Sequence, residues 1–434
     1  MRAAPIYASL HLYMTCQTHR SRRSGEGRLS VTTQLPPDID KLFSQRSNRH
    51  GQAAFTNPRN IGDRIALSAG YPDPSSMPKS DMAESMRLGL ERDGELALQY
   101  GANRGYDRLL EQLQVKLKRD QGIECTEDEL LIVGGAGQGL GLIADAFCDP
   151  GDVVISEEPT WMGAVRHFRG IGVDVEPVRV DDKGTSIDEL KASVERLESE
   201  GRRPKLIYMI PNFQNPIGVT TTLERRKEII DLAKTHMIPI IEDDAYSDLR
   251  YRGDKLPTMY ELDDSGMVIY LSTFSKIIGA GLRLGWIVAH PRFISAFAAL
   301  KHEGGTSPFV SAAVTEFCAS GTLVEHIGEL RKVYGGRHAA MIKALQAHMP
   351  DGVSWSDPEG GFFVWVTLPD GISVGDVTPT LKDAGVDVSP GTQFYFHGGG
   401  DNAIRLSFSF ANEARIETGV KALAEAIEAA AARG

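Results

Sequence analysis

Between residues 129 and 289, short β-rich runs alternate with helix-like stretches: LLIVGG, DVVISEEP, VDVEPVRV, KLIYMIP, IPIIEDDAY, VIYLSTFSK and LRLGWIVAH. Strands separated by helices need crossover connections, so this stretch predicts an α/β fold with a mostly parallel sheet covered on both faces. Ligands of such sheets gather at the C-terminal strand ends. Further on, 290–345 carries helical spacing, while GGFFVWVTLP, GVDVSPG and AIRLSFSF predict a small sheet closed by an Ala/Glu-rich helix over 416–432. Upstream, 35–49 reads as a helix and 65–74 as an extended segment ending in a Gly/Pro turn. The expected organisation is an N-terminal extension (1–30), an arm contributing to the small domain and the substrate pocket (31–80), a large domain (81–320) and a small α+β domain (321–434).

Composition narrows the function classes. With 434 residues and 41 % hydrophobic content the chain buries a sizeable core. A net charge of −11 argues against nucleic acid as a partner, because that affinity rests on cations meeting phosphates. Apolar runs stay short of the roughly 18 residues a membrane span requires, so no membrane association is expected. Cys16, Cys125, Cys148 and Cys318 are scattered, with no Cys/His cluster, which points away from structural metal and disulfides and towards a cytoplasmic location. No acid precedes Glu26, and Arg20, Arg22 and Arg23 cluster near the start. That pattern fits a transit peptide, but His11 interrupts the apolar stretch 6–14 and no small-residue cleavage signal follows, which favours a disordered extension or an over-extended start.

Two strand ends carry chemistry of their own. The run 268–271 breaks into Ser272, Thr273 and Ser275 just before Lys276. A lysine at such a tip is placed to form a Schiff base, with the hydroxyls and Arg283 available to a phosphate; the alternative is a surface lysine in a polar turn. The glycine-rich stretch 134–141 follows a strand and opens a helix, which makes an anion site. It also contains a GxGxxA match at Gly139, Gly141 and Ala144, with Glu157 and Glu158 beyond, the basis of a competing dinucleotide-binding reading.

Six segments stand in a fixed order along the chain: LALQYGANRGYDRLLEQL, GGAGQGLGLIADAFCDPGDVVISEEPTW, PNFQNPIG, IIEDDAY, VIYLSTFSKIIGAGLRLGW and NAIRLSFS, the second and fifth containing the stretches just described. Together they resemble the fold type I pyridoxal-phosphate enzymes, most closely the branch containing 2-aminoadipate and kynurenine aminotransferases, from about residue 67 to near the C-terminus. The resemblance implies a seven-stranded, mostly parallel central sheet, pyridoxal 5'-phosphate as cofactor, and a homodimer with shared active sites. It implies that Lys276 holds the cofactor, that Ala136, Gly137, Gln138, Thr273, Ser275 and Arg283 hold its phosphate, and that Trp161 stacks on its ring. Asp243 would pair with the pyridine nitrogen, with Tyr246 and Asn215 at the phenolic oxygen; Glu242 and Asp244 are rivals to Asp243 but lack its D-x-A-Y spacing. Arg405 would clamp the substrate α-carboxylate, Gly70 would border the substrate, where Asn215 also lies, and Tyr100 would reach the neighbouring subunit's phosphate. Ala136 and Gly137 replace side-chain donors usual in the family, Trp161 replaces a tyrosine, and Tyr71 replaces a second glycine.

Each of these residues also has a plainer reading. Trp161 could be core, Asn215 and Pro216 a simple turn, Asp243 a helix cap and Arg405 an exposed edge charge. The favoured function is an aminotransferase of amino acid metabolism or biosynthesis, passing an amino group between an L-amino acid and a 2-oxo acid through Lys276 Schiff-base chemistry. The runner-up is a related enzyme of secondary metabolism that uses the same quinonoid for elimination, cyclisation or carbon–carbon bond formation. A third, a regulator fusing a winged helix to an aminotransferase-like domain, would need more residues than precede 67 and a basic N-terminal module.

Overall fold

The structure is a computed structural model that describes residues 38–50 and 62–433; the extension expected over 1–30 lies outside them. Contacts divide the chain into Met1–Ser44, whose described part contains one 3-10 turn, Ile39–Leu42, and Gln45–Gly434. The helix expected over 35–49 is thus that turn and a separate helix, Gln45–His50.

Within the second unit the large sheet is built from β1 (Leu130–Val133), β2 (Val153–Glu158), β3 (Asp174–Asp181), β4 (Gly184–Thr185), β5 (Pro204–Met209), β6 (Ile240–Asp243), β7 (Val268–Thr273) and β8 (Gly285–Val288), in the order β1-β8-β7-β6-β5-β2-β3-β4. The seven longer strands match the number expected, and the two-residue β4 folds back antiparallel on β3 as an eighth. Pairings β3–β2–β5–β6–β7 are parallel, whereas β8 runs antiparallel to both its neighbours. Side chains alternate across the sheet as strand geometry requires: Leu131, Val133, Ile269, Leu271 and Ile287 enter one apolar cluster, while Ile132, Tyr270, Trp286 and Val288 enter another. Burial on both faces explains why these strands read as continuous apolar runs. The flanking helices start on side-chain caps, for example Ser186 before Ile187–Ser199 and Thr222 before Leu223–His236.

The C-terminal part forms a second, four-stranded antiparallel sheet in the order Ser354–Trp355, Phe363–Thr367, Ala403–Ser407, Ser389–Pro390. Ile65–Ala66 pairs in parallel with Val386–Asp387, so the residues after the N-terminal helix join the C-terminal elements. Gly321, at φ 84°, is the N-cap of the 27-residue helix Thr322–His348. Helix Lys79–Asp93 starts directly after Pro78. The closing helix is Glu413–Ala431. Among the described residues no helix is long and apolar enough to cross a membrane.

Candidate active site

Five strands, β1, β2, β5, β6 and β7, run out at one edge of the large sheet and deliver side chains to a cavity of about 1060 Å³. β1 passes into helix Ala136–Phe147 through Gly135, whose φ of 86° is left-handed. A Cβ there would lie 2.6 Å from Nη2 of Arg283, so glycine is what allows the turn to close beneath that guanidinium. The N–H groups of Ala136 and Gly137 find no backbone acceptor among the described residues, and the helix dipole adds partial positive charge beside them. Because β8 is antiparallel, Arg283 just before it reaches the same edge, tethered to the carbonyl of Gly134 at 3.0 Å. Two residues expected to offer side-chain donors are engaged elsewhere. Oγ1 of Thr273 lies 2.9 Å from the Leu284 carbonyl and 2.8 Å from Oγ of Ser275, and accepts from the Ser275 N–H. The amide of Gln138 accepts from the Gly134 N–H and donates to Glu303. Ala136, Gly137, Ser275 and Arg283 are left as the open anion donors.

Lys276 follows β7 in a 3-10 turn, and its Nζ donates to the carbonyl of Gly70 at 3.0 Å. Burial, with Arg405 adding repulsion, pulls its amine down to about 8. Opposite stands Asp243 at the end of β6, 4 % exposed, with one oxygen accepting from the Tyr208 hydroxyl at 2.7 Å. Burial pushes this carboxyl up to about 7 against the lowering effect of Tyr208. The rival acids face the other way, as alternation along a strand demands. Glu242 accepts from the N–H groups of Met259 and Tyr260, and Asp244 from Asn212 and Tyr270.

Arg405 lies in the interior strand Ala403–Ser407 of the small sheet, paired with Trp365 on one side and Ser389 on the other, and is 5 % exposed; the edge-charge reading is ruled out. Its guanidinium sits 4.1 Å from the ring centroid of Phe363 and 4.9 Å from that of Phe394. Nη1 donates to Oδ1 of Asn215 at 3.0 Å, and Nη2 to the Ser68 carbonyl and the Ser389 hydroxyl. Nε is buried without a partner, and among the described residues no carboxylate pairs with this cation. Burial lowers it to about 10. Asn215 also contacts the hydroxyl of buried Tyr246, so these side chains form one chain of polar contacts along the cavity wall.

Trp161, the N-cap of helix Met162–Ile171, lines the cavity, and its indole lies where a Cβ on Gly163 would come within 2.3 Å. Tyr71 lines the cavity too, edge-on to Phe410. Tyr100 does not: it is 85 % exposed, packed beside Gly304 outside the cavity of its own chain. The GxGxxA reading fails, since Gly139, Gly141 and Ala144 lie within the helix and Glu157 and Glu158 are consumed by internal hydrogen bonds. Sequence reasoning missed Tyr208, which looks like any core aromatic in a buried strand, and Ser389, whose contact with Arg405 depends on sheet register.

The donor set suits a phosphorylated pyridine aldehyde: an open anion turn, an acid with a free oxygen, an amine, and aromatic walls. The family profile described as aminotransferase class I and II matches residues 63–423. Aromatic-amino-acid aminotransferase 1 of Thermococcus litoralis is 35 % identical over 409 residues, covering 93 % of this chain and 98 % of the relative. The 2-aminoadipate transaminase of Thermus thermophilus is 32 % identical over 368 residues, 84 % and 90 % of the two chains. The solved structure of Pyrococcus horikoshii kynurenine aminotransferase, with PMP, superposes with a TM-score of 0.85 at 36 % identity, covering 90 % of this chain and 98 % of that one. HTH-type transcriptional regulators of Bacillus subtilis and Escherichia coli are also among the relatives.

Proposed function

The chain belongs to the class I and II aminotransferases, pyridoxal-phosphate enzymes that move amino groups between amino acids and 2-oxo acids, and on that premise we propose that the cavity residues perform this transfer. The relatives do not favour the runner-up chemistries. One observation carries the assignment of the site: Arg405, a buried cation with no acidic partner among the described residues, lines the same cavity as the depressed amine of Lys276. An anionic group is the missing partner of the first, and an electrophilic carbon suits the second.

When bound, the cofactor supplies an aldehyde carbon that captures amines and an electron-withdrawing ring that stabilises charge at the substrate α-carbon. In this reading Ala136 and Gly137 N–H, Ser275 Oγ and Arg283 hold its phosphate, with Thr273 and Gln138 bracing the turn. Trp161 covers the ring face, Asn215 and Tyr246 hold the phenolic oxygen, and Asp243 holds the proton of the ring nitrogen. Arg405 grips the α-carboxylate in a bidentate pair, orienting the α-carbon towards Lys276, whose Nζ takes the α-proton. Gly70 orients that amine through its carbonyl.

The coarser partners are small-molecule amino and 2-oxo acids; aromatic amino acids, kynurenine and 2-aminoadipate are the donors to try first, from the activities named for the relatives. We further read the enzyme as a cytoplasmic homodimer without a nucleic-acid partner. The net charge of −11 and the free Cys125, Cys148 and Cys318 support this, as do Leu96, Leu98 and Tyr100, all more than 70 % exposed beside one another. Large (81–320) and small (321–434) domains with an N-terminal arm remain the proposed division.

The test is a single-turnover reaction of each donor with holoenzyme, coupled to borohydride reduction and peptide mapping of unreacted enzyme. Transfer leaves a stoichiometric 2-oxo acid and the cofactor in its amine form, with the reduced label on Lys276. Product release with the cofactor still an aldehyde, or a label elsewhere, would overturn the assignment.

A further inference from the structure

Two adjacent acids, Asp243 at the end of β6 and Asp244 just after it, are each served by a buried phenol from a neighbouring strand. Tyr270 of β7 donates to Asp244, which also receives Asn212 and faces away from the cavity. Tyr208 of β5 donates to Oδ2 of Asp243, which faces into it. Tyr208 is fully buried, and its ring stands edge-on against Phe168 at 5.6 Å, so the hydroxyl has a single fixed direction. Among the described residues it is the hydrogen-bond donor to the Asp243 side chain, leaving Oδ1 open to the cavity. The other ionisable groups around Asp243 are Glu157, Asp244, Tyr246 and Lys276.

We infer that Tyr208 is a positioning residue that acts through Asp243: it keeps the carboxylate ionised and aimed, so that the one proton shared between Oδ1 and the cofactor's ring nitrogen stays on the nitrogen. The inference rests on the reading of Asp243 given above. The balance is simple, because one proton has two possible homes. Donation from Tyr208 stabilises the charged carboxylate and thereby favours the protonated ring. Low solvent access and the neighbouring Asp244 carboxylate push the other way, making the carboxyl harder to ionise, and Tyr208 is the neighbour that offsets them by hydrogen bonding. Without its hydroxyl the proton moves towards Oδ1, and the ring withdraws electrons less well from the substrate.

The experiment loads holoenzyme with cofactor carrying 15N in the ring and records the nitrogen resonance in wild type, Tyr208→Phe and Asp243→Asn. Tyr208→Phe keeps the ring against Phe168, and the expected result is a resonance displaced towards the unprotonated position, with the proton partition changed about tenfold or more. The half-reaction rate should fall with it while cofactor dissociation changes little. Difluorotyrosine at position 208, a stronger donor of nearly the same shape, should move the resonance beyond the wild-type position towards full protonation; this measurement stands if the phenylalanine variant folds poorly, and a resonance that difluorotyrosine leaves unmoved would overturn the inference. If Asp243→Asn moves the resonance but Tyr208→Phe does not, the inference about Tyr208 falls and the reading of Asp243 survives. If Asp243→Asn leaves the resonance in place, both fall.

Discussion

Replacing Arg405 with methionine separates recognition from stability. The guanidinium is held near 10 instead of its ordinary 12.5, which corresponds to about 3 kcal/mol of electrostatic work against burying the charge. Two aromatic faces and three hydrogen bonds to uncharged acceptors offset part of that cost, and a substrate carboxylate would supply the rest. Arg405→Met removes both the cost and the contacts, so the apoenzyme should melt within a few degrees of wild type. The substrate, by contrast, loses two charge-assisted hydrogen bonds of about 1.5–3 kcal/mol each, so kcat/KM should drop about 10²- to 10⁴-fold. Arg405→Lys keeps the charge without the planar fork and should recover little of the loss. The assay compares single-turnover rates for an L-amino acid and for the amine left by its decarboxylation. Wild type should strongly prefer the acid, and Arg405→Met should react with both at similar rates by losing only the acid's advantage. Equal losses for acid and amine, or a melting temperature lowered by about 10 °C or more, would show that Arg405 is a structural residue and refute the reasoning.

Further outcomes follow from other parts of the molecule. Burial and Arg405 hold Lys276 near 8, and only the uncharged amine captures an aldehyde, so loading of apoenzyme should accelerate about tenfold per pH unit below 8 and level off above it; a bend near 10 would contradict the depressed amine. Arg337→Met strands the buried carboxylate of Asp73, now paired at 3.0 Å, and should cost about 3–5 kcal/mol in denaturant unfolding, a loss below about 1 kcal/mol being incompatible with a buried pair. Gly163→Ala drives a Cβ into the indole of Trp161, so cofactor affinity measured by dialysis should weaken about tenfold although helix propensity improves; unchanged affinity would remove Trp161 from the cofactor's face. Mixing inactive Tyr100→Ala and Lys276→Ala subunits should restore about a quarter of wild-type activity if sites are shared, since half the dimers then carry one intact site, and heterodimers without activity would end that claim.

Much of the site was legible because its parts are short in sequence. Lys276 at a strand tip, the glycine turn before Ala136 and the three-residue step from Asp243 to Tyr246 are each set by a strand's two-residue period or by one turn into a helix. The choice of Asp243 over Glu242 and Asp244 follows from the same alternation, once it is known which face meets the cavity. The sequence alone therefore determined the α/β alternation, the edge at which the chemistry collects and most of the residues that collect there. What it left open was settled by contacts between distant segments. Arg405 reads equally as an edge charge until sheet register buries it between Trp365 and Ser389, and Thr273 and Gln138 read as open donors until Leu284 and Glu303 engage them. Tyr208 reads as core until β5 lies beside β6, and Asp73 reads as a turn residue until Arg337, from a helix far along the chain, pairs with it. Local periodicity encodes which way a side chain points; burial, dielectric and the identity of its partner depend on which strands and helices the completed fold brings together, and those decided the ionisation of Lys276, Asp243 and Arg405.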